Sequence, residues 1–377
     1  MTASPQPTAG AAPTGDDLLQ PYDAVLLLSF GGPEAPDEVM PFLRRVTAGR
    51  GIPDERLAEV GHHYDLFGGR SPINDQNRAL IRSLEGELAD RDIHLPVLWG
   101  NRNSPPFLVD TLREAAGRGL HRIVVVTTSA YSSYSSCRQY RENLAEAVGA
   151  VRDEGLVVEI DKIGPYARRT PFVSTNARLV VDAMRAHAEV PDEELALLFV
   201  THSIPDSMDE TSGPGDSEGR LYQEQHHAVA DAITEAVQQQ LGRALVPEVV
   251  YCSRSGPPTQ PWLEPDINDR LAELAKEGVR VVVVAPVGFV SDHMEVVYDL
   301  DTEAMETAGE LGLTLVRVPT VGIDPAFVSG LVDLVVERAE EARGGAAPTG
   351  PGVRPSVCLP GCCPNLRAAR PALCGSD

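Results

Sequence analysis

The sequence predicts an α/β protein of two similar Rossmann- or flavodoxin-like domains with parallel sheets, and three observations carry that prediction. Short apolar runs alternate with helix-period segments along the chain, which is the pattern of strand–helix–strand crossovers. The runs are continuously apolar, as strands covered on both faces require. The two halves also echo each other. LLLSFGGPE (26–34) parallels LLFVTHSIPD (197–206), VLWGNRNSPPF (97–107) parallels VVYCSRSGPPT (249–259), and IVVVTTSAYSS (123–133) parallels VVVVAPVGFVSD (281–292).

The expected strands of the first half are 23–30, 95–100, 122–129 and 156–163, and those of the second are 195–202, 245–252, 279–286 and 313–320. Helix periodicity fills the intervals, most clearly over 74–91 and 221–241. A length of 377 residues exceeds one hydrophobic core, so two domains are expected. Residues 21–180 form the first and 181–343 the second, with the last helix packing back on the first. Residues 1–20 are rich in Pro, Ala, Thr and Gly and read as a disordered arm. Residues 344–377 read as a flexible linker followed by a cysteine-rich tail.

A formal net charge of −23 argues against nucleic acid as a partner, because such binding needs a basic face. No run of about eighteen apolar residues is present, so no spanning helix is expected. The N-terminus has neither a basic nor an apolar signal region, and a cytoplasmic protein is the expectation.

Two places could carry chemistry. The strand 195–202 ends in His202, followed by a turn limited by Pro205; an imidazole there faces the mouth of the sheet and can bind a metal or accept a proton. A histidine that merely caps the next turn is the competing reading. After the strand 279–286, Glu295, Asp299 and Glu303 recur every four residues, which places three carboxylates on one helix face. Like charges so stacked destabilise a helix unless a cation offsets them, although an exposed acidic face in an acidic protein would give the same pattern. His202 and Glu295 both follow strands of the second half, so they can oppose each other across one pocket. A neutral imidazole beside a carboxylate suits metal insertion into a macrocycle, where two pyrrole protons must leave as the metal enters.

SFGGP (29–33), FGGRSPI (67–73), THSIP (201–205), SRSGPPTQPWLEPD (253–266) and GFVSDHMEV (288–296) resemble, in order, the motifs of ferrochelatases, over roughly residues 21–340. The resemblance implies a class II chelatase fold around a porphyrin cleft, with His202 as the metal-side histidine and Glu295 as its partner carboxylate. Asp299 and Glu303 match the acidic row that follows. Details resemble the actinobacterial branch, which implies Fe2+ and coproporphyrin III as substrates. Protoporphyrin IX in the same pocket, or a porphyrin carrier without turnover, stays open. Ser71 and Tyr140 match tetrapyrrole contacts. Arg70, Arg102 and Arg254 are candidates for the propionates, with surface salt bridges as the competing reading. Phe30, Thr47 and His63 depart from the Firmicute pattern of tyrosine and arginines, so a phenol cannot coordinate iron at position 30. A transient encounter with other haem-pathway enzymes is compatible with this reading.

Cys358, Cys362, Cys363 and Cys374 crowd the tail, and clustered cysteines in a cytosolic chain point to a metal site. A [2Fe–2S] cluster needs four thiolates, and the actinobacterial resemblance supports one here. The expected ligands are Cys137, Cys358, Cys363 and Cys374, with Cys362 the rival for one place. Zinc in a four-cysteine site, or an unliganded tail, competes with this. Cys252 lies within an apolar strand and reads as a small buried hydrophobe.

Overall fold

The computed structural model describes residues 15–49, 51–256, 259–350 and 352–373. It contains two four-stranded parallel sheets of the same order. In the first, β1 (Ala24–Ser29) is flanked by β2 (Val97–Asn101) and β3 (Arg122–Thr127), and β4 (Glu159–Lys162) forms the edge beyond β3. In the second, β5 (Leu195–His202) is flanked by β6 (Glu248–Cys252) and β7 (Val281–Ala285), with β8 (Thr314–Arg317) beyond β7. The order β2-β1-β3-β4 repeats as β6-β5-β7-β8. Successive crossovers therefore leave the first strand of each sheet in opposite directions. A crevice opens at the carboxyl ends of the two strands where the direction reverses, β1 and β3 in one sheet and β5 and β7 in the other.

Every residue of β1 and β7 is buried, which accounts for their unbroken Ala, Val and Leu content. The edge strands are shorter than their apolar runs, 159–162 within 156–163 and 314–317 within 313–320, because they pair on one side only. One continuous core joins the sheets: Leu27 and Val126 of the first half, Phe199 and Val283 of the second, and Phe327, Leu331 and Val335 of the helix Pro325–Ala342 belong to it. That helix packs on the helices Ile73–Asp90 and Thr170–Arg185 of the first half. Arg91 fastens it by an ion pair to Asp333 at 2.6 Å. Burying each of its apolar side chains contributes about 1.5–3 kcal/mol relative to exposure.

Residues 15–20, expected as part of a disordered arm, are ordered. Gly15–Leu18 is a helical turn and Leu19 is fully buried, because its leucine joins the main core. Residues 1–14 lie outside the described residues.

A buried polar contact ties the halves together beneath the crevices. Tyr131, after β3, donates its hydroxyl to the Val287 carbonyl, after β7, at 2.9 Å. Its ring stacks on His226 with centroids 3.6 Å apart. His226 bonds the Tyr222 carbonyl through Nδ1 at 2.7 Å, and burial pulls its pKa down to about 3.

Two outcomes follow. Tyr131→Phe leaves the Val287 carbonyl without its donor and should lower the unfolding free energy by about 1–2 kcal/mol, read by urea denaturation. His226 stays neutral in the fold until about pH 3 but takes a proton near pH 6.5 when unfolded, so its contribution is whole above that pH and is lost as the pH falls. The stability gap between the wild type and His226→Gln should narrow from pH 7 to about pH 4.5; a gap that widens on acidification contradicts this.

Candidate active site

The longest strand of the second sheet, β5, runs to its last residue, His202, paired opposite Cys252 of β6. The turn behind it is locked by backbone and side chain together. Ser203 donates its N–H to the Cys252 carbonyl and its hydroxyl to the Leu263 carbonyl, each at 2.8 Å. His202 Nδ1 lies 2.5 Å from the Ser203 carbonyl oxygen. A carbonyl only accepts, so Nδ1 carries a proton, and in the neutral imidazole Nε2 is the nitrogen left to accept one. Nε2 points at Glu295 Oε2, 3.8 Å away. Burial alone would lower the His202 pKa, but the hydrogen bond and charge of Glu295, with the Ser203 carbonyl and Asp299, outweigh it and raise the value.

Glu295 is held by both halves of the chain. The loop after β7 bends at Gly288, whose N–H bonds the Val200 carbonyl at 3.0 Å. A Cβ at Gly288 would sit 2.2 Å from Thr201 Oγ1, so only glycine lets the loop lie this close to the end of β5. Asp292 N–H then donates to Gln76 Oε1 at 2.8 Å, and Met294 N–H to Ser71 Oγ at 3.2 Å, both acceptors coming from the first half. The helix Met294–Tyr298 begins there, with Glu295 in its first turn.

The acidic row follows, though not on the uniform α-helix that its spacing suggests. Residues Asp299–Glu303 form a π turn before the helix Ala304–Leu311. In an α-helix four residues overshoot a full turn, whereas in the wider π turn they fall short of one, so the insertion offsets the drift of the row. Asp299 accepts a short hydrogen bond from Ser253, a residue in the left-handed region at φ 61°. Burial pushes the Asp299 pKa up to about 7, the Ser253 bond opposing and the Glu295 charge adding to it. Glu303 bonds the Tyr298 hydroxyl.

Against Met294, at the start of the Glu295 helix, the helices Pro36–Val46 and Asp54–Asp65 pack an apolar lip. Val39, Phe42, Leu43, Leu57 and Tyr64 cluster there with Met294, and Phe30 and Tyr298 pack at its margin. His63 stacks on Tyr298 at 3.8 Å with planes 9° apart. Thr47 bonds back to the Leu43 carbonyl at 2.7 Å. Tyr298 and Ser253 were not singled out from sequence. Tyr298 lies between two of the acidic positions and carries no metal-binding signal of its own, while Ser253 opens a motif already noted for other residues.

The remaining candidates divide. Ser71 is buried and joined to the Met294 amide, next to Glu295. Tyr140 is buried in the first half, with the Arg102 guanidinium 4.4 Å over its ring and 5.4 Å over that of Phe30. Arg102 also donates to Asn143 at 2.7 Å. Arg70 pairs with Asp75, and Arg254 with Glu264 at 3.7 Å, both on the surface.

The tail returns Cys358, Cys362 and Cys363 to the π turn Tyr134–Arg138 that holds Cys137. Cys137 and Cys362 each hydrogen-bond Cys358, and Cys362 Sγ lies 3.9 Å from Cys363 Sγ. Lys162 and Arg141 add positive charge, and the Cys137 and Cys362 thiols are held well below their usual range by these bonds and charges. Burial and the neighbouring thiol raise Cys363. Cys374 lies outside the described residues, and Cys252 is buried in β6. Among the described residues no three His, Cys, Asp or Glu side chains converge in a geometry ready to enclose a metal ion, and no helix is long and apolar enough to cross a membrane.

A protein of Streptomyces coelicolor called coproporphyrin III ferrochelatase is 53% identical over 367 residues, covering 95% of this chain and 97% of that one. Proteins of the same name from Leifsonia xyli and Corynebacterium glutamicum are 50% and 44% identical, covering 98% and 93% of this chain and 98% and 97% of their own. The ferrochelatase family model matches residues 22–339, a span that includes the histidine, the acidic row and the lip, and the chain belongs to the ferrochelatase family.

Proposed function

We propose that this protein is a lyase of the cytoplasm that inserts Fe2+ into coproporphyrin III, with His202 and Glu295 at the reacting centre. The observation that carries this reading is the 3.8 Å approach of His202 Nε2 to Glu295 Oε2 at the head of a row of carboxylates. In the neutral imidazole Nε2 accepts one pyrrole proton, Glu295 stabilising the imidazolium that forms, and it passes that proton to solvent before it takes the second. Asp299 and Glu303 bring Fe2+ toward the pair through oxygen ligands that hold the ion loosely enough to release it. The apolar lip, whose side chains are buried against Met294, gives the wall beside Glu295 a rigid backing. Coproporphyrin III is favoured as substrate because the relatives named above carry it in their names. Its four propionates need polar partners; Arg102, presented on the ring of Tyr140, meets one of them. Ser71 completes the substrate wall by holding the start of the helix of Glu295.

A [2Fe–2S] cluster fits the tail. Cys358 hydrogen-bonds both Cys137 and Cys362, with Cys363 beside Cys362, and these bonds and the nearby cations favour the thiolate form of Cys137 and Cys362 that binds iron. Cys137, Cys358 and Cys374 would hold it together with one of the adjacent pair Cys363 and Cys362, Cys363 being the expected ligand. When bound, the cluster cross-links the tail to the body, and the His202 pair lies outside its ligand set.

Three measurements test this. His202→Ala and Glu295→Gln should each slow anaerobic metallation by roughly 10²–10⁴-fold while still binding porphyrin; retained turnover contradicts the site, and lost binding contradicts the division of roles. Asp299→Asn should raise the KM for Fe2+ more than it lowers kcat. Cys358→Ser and Cys374→Ser should each abolish visible cluster absorption, whereas Cys362→Ser should keep it; absorption lost in Cys362→Ser but kept in Cys363→Ser gives the fourth place to Cys362.

A further inference from the structure

The cysteine tail rests on a loop that leads, bond by bond, to the backbone of His202. Gly213 N–H donates to Cys363 Sγ at 3.2 Å, and Cys363 N–H donates back to the Gly213 carbonyl at 2.9 Å. Two residues on, Gly215 N–H donates to the Pro360 carbonyl at 3.2 Å. Next to Gly213, the buried Ser212 hydroxyl donates to the Asp209 carbonyl at 2.7 Å and accepts the Tyr222 N–H at 2.9 Å. Tyr222 opens the helix Leu221–Leu241 and is itself buried. Its hydroxyl lies 2.9 Å from the His202 carbonyl oxygen, to which it donates, and 2.8 Å from Thr201 Oγ1.

The links through Gly213, Ser212 and the Tyr222 amide are buried, whereas the Gly215–Pro360 contact lies at the exposed end of the path. A phenol in this place is not needed to fill space, since a phenylalanine ring would do so. It supplies a donor to the carbonyl of the residue that ends β5, in surroundings where an unmet carbonyl is costly. The imidazole of His202 is aimed by its Nδ1 contact with the Ser203 carbonyl, one peptide beyond the His202 carbonyl that Tyr222 holds. A tilt of the 202–203 peptide therefore moves the His202 and Ser203 α-carbons relative to each other, and with them the direction of Nε2.

The geometry points to Tyr222 as a positioning residue for His202, and to the loop 211–219 as the part that makes this position depend on the docked tail. The inference rests on the reading of His202 as the proton acceptor, and it does not require any group bound to the cysteines. The tail contributes by its backbone contacts at Pro360 and Cys363. Its displacement lets the loop relax, moves the start of the helix 221–241 and loosens the Tyr222 bond.

Gly215 offers a probe that touches neither a cysteine nor the site. A Cβ there would meet the Pro360 carbonyl at 3.0 Å and Gly361 backbone at 3.1 Å, so Gly215→Ala pushes this stretch of the tail away by a few tenths of an ångström and weakens the Gly215–Pro360 bond. We would measure anaerobic metallation by the full chain for Gly215→Ala, Tyr222→Phe, the double variant and His202→Ala, with Fe2+ and porphyrin each varied. Tyr222→Phe should lower kcat by about 3–10-fold with little change in either KM, and Gly215→Ala should lower it by a smaller factor. The double variant should be no slower than Tyr222→Phe alone, since both act through one link. Strictly additive losses, or an unchanged kcat in Tyr222→Phe, overturn the proposal. So does a fall in visible thiolate–iron absorption in Gly215→Ala that matches its loss of kcat. Ser212→Ala gives the same cycle should Gly215→Ala fail to fold. His202→Ala with turnover intact would instead overturn the site reading itself, which separates the two failures.

Discussion

The contact on which the site depends is the approach of the loop after β7 to the end of β5, where Gly288 lies against Thr201. Nothing larger than hydrogen fits at that α-carbon, and the backbone bond from Gly288 to Val200 closes the gap. This brings Glu295 within 3.8 Å of His202 although 93 positions separate them in the chain. The rest of the architecture supports that one juxtaposition. Parallel strands deliver both loops to the same end of the sheet, and the strand order opens a crevice there.

The first half completes the site by hydrogen bonds more than by chemistry of its own. Ser71 and Gln76 fix the start of the Glu295 helix, and the lip helices add apolar cover that meets Met294 and Tyr298. A histidine and a carboxylate on one half thus meet a wall supplied by the other. Burial sets Asp299 apart within the row: its carboxyl pKa is pushed up to about 7, so the row is not uniformly charged at neutral pH.

Much of this was legible in the sequence because strand runs and their punctuation are local. The eight strands, the ends of β1 and β5, and the carboxylate spacing all follow from short-range pattern. What escaped depends on contacts between distant segments. The π turn at Asp299–Glu303 has no residue signature, and it alters how the row lines up without altering its spacing. Leu19 looked like part of a polar arm because its partners lie elsewhere in the chain. The His63–Tyr298 stack joins two helices whose sequences give no sign of each other. For the tail, the grouping of Cys358, Cys362 and Cys363 with Cys137 was readable from cysteine placement, but the seat it takes on Gly213 and Gly215 was not.

The central claim is that this cleft metallates a porphyrin bearing four propionates. The most direct measurement is anaerobic turnover of the purified wild-type protein with Fe2+, given coproporphyrin III and protoporphyrin IX separately and followed by the change in the Soret band. The account predicts faster metallation of coproporphyrin III, expressed as kcat/KM. Equal or faster metallation of protoporphyrin IX would contradict the substrate, and binding of both without metallation of either would contradict the reaction.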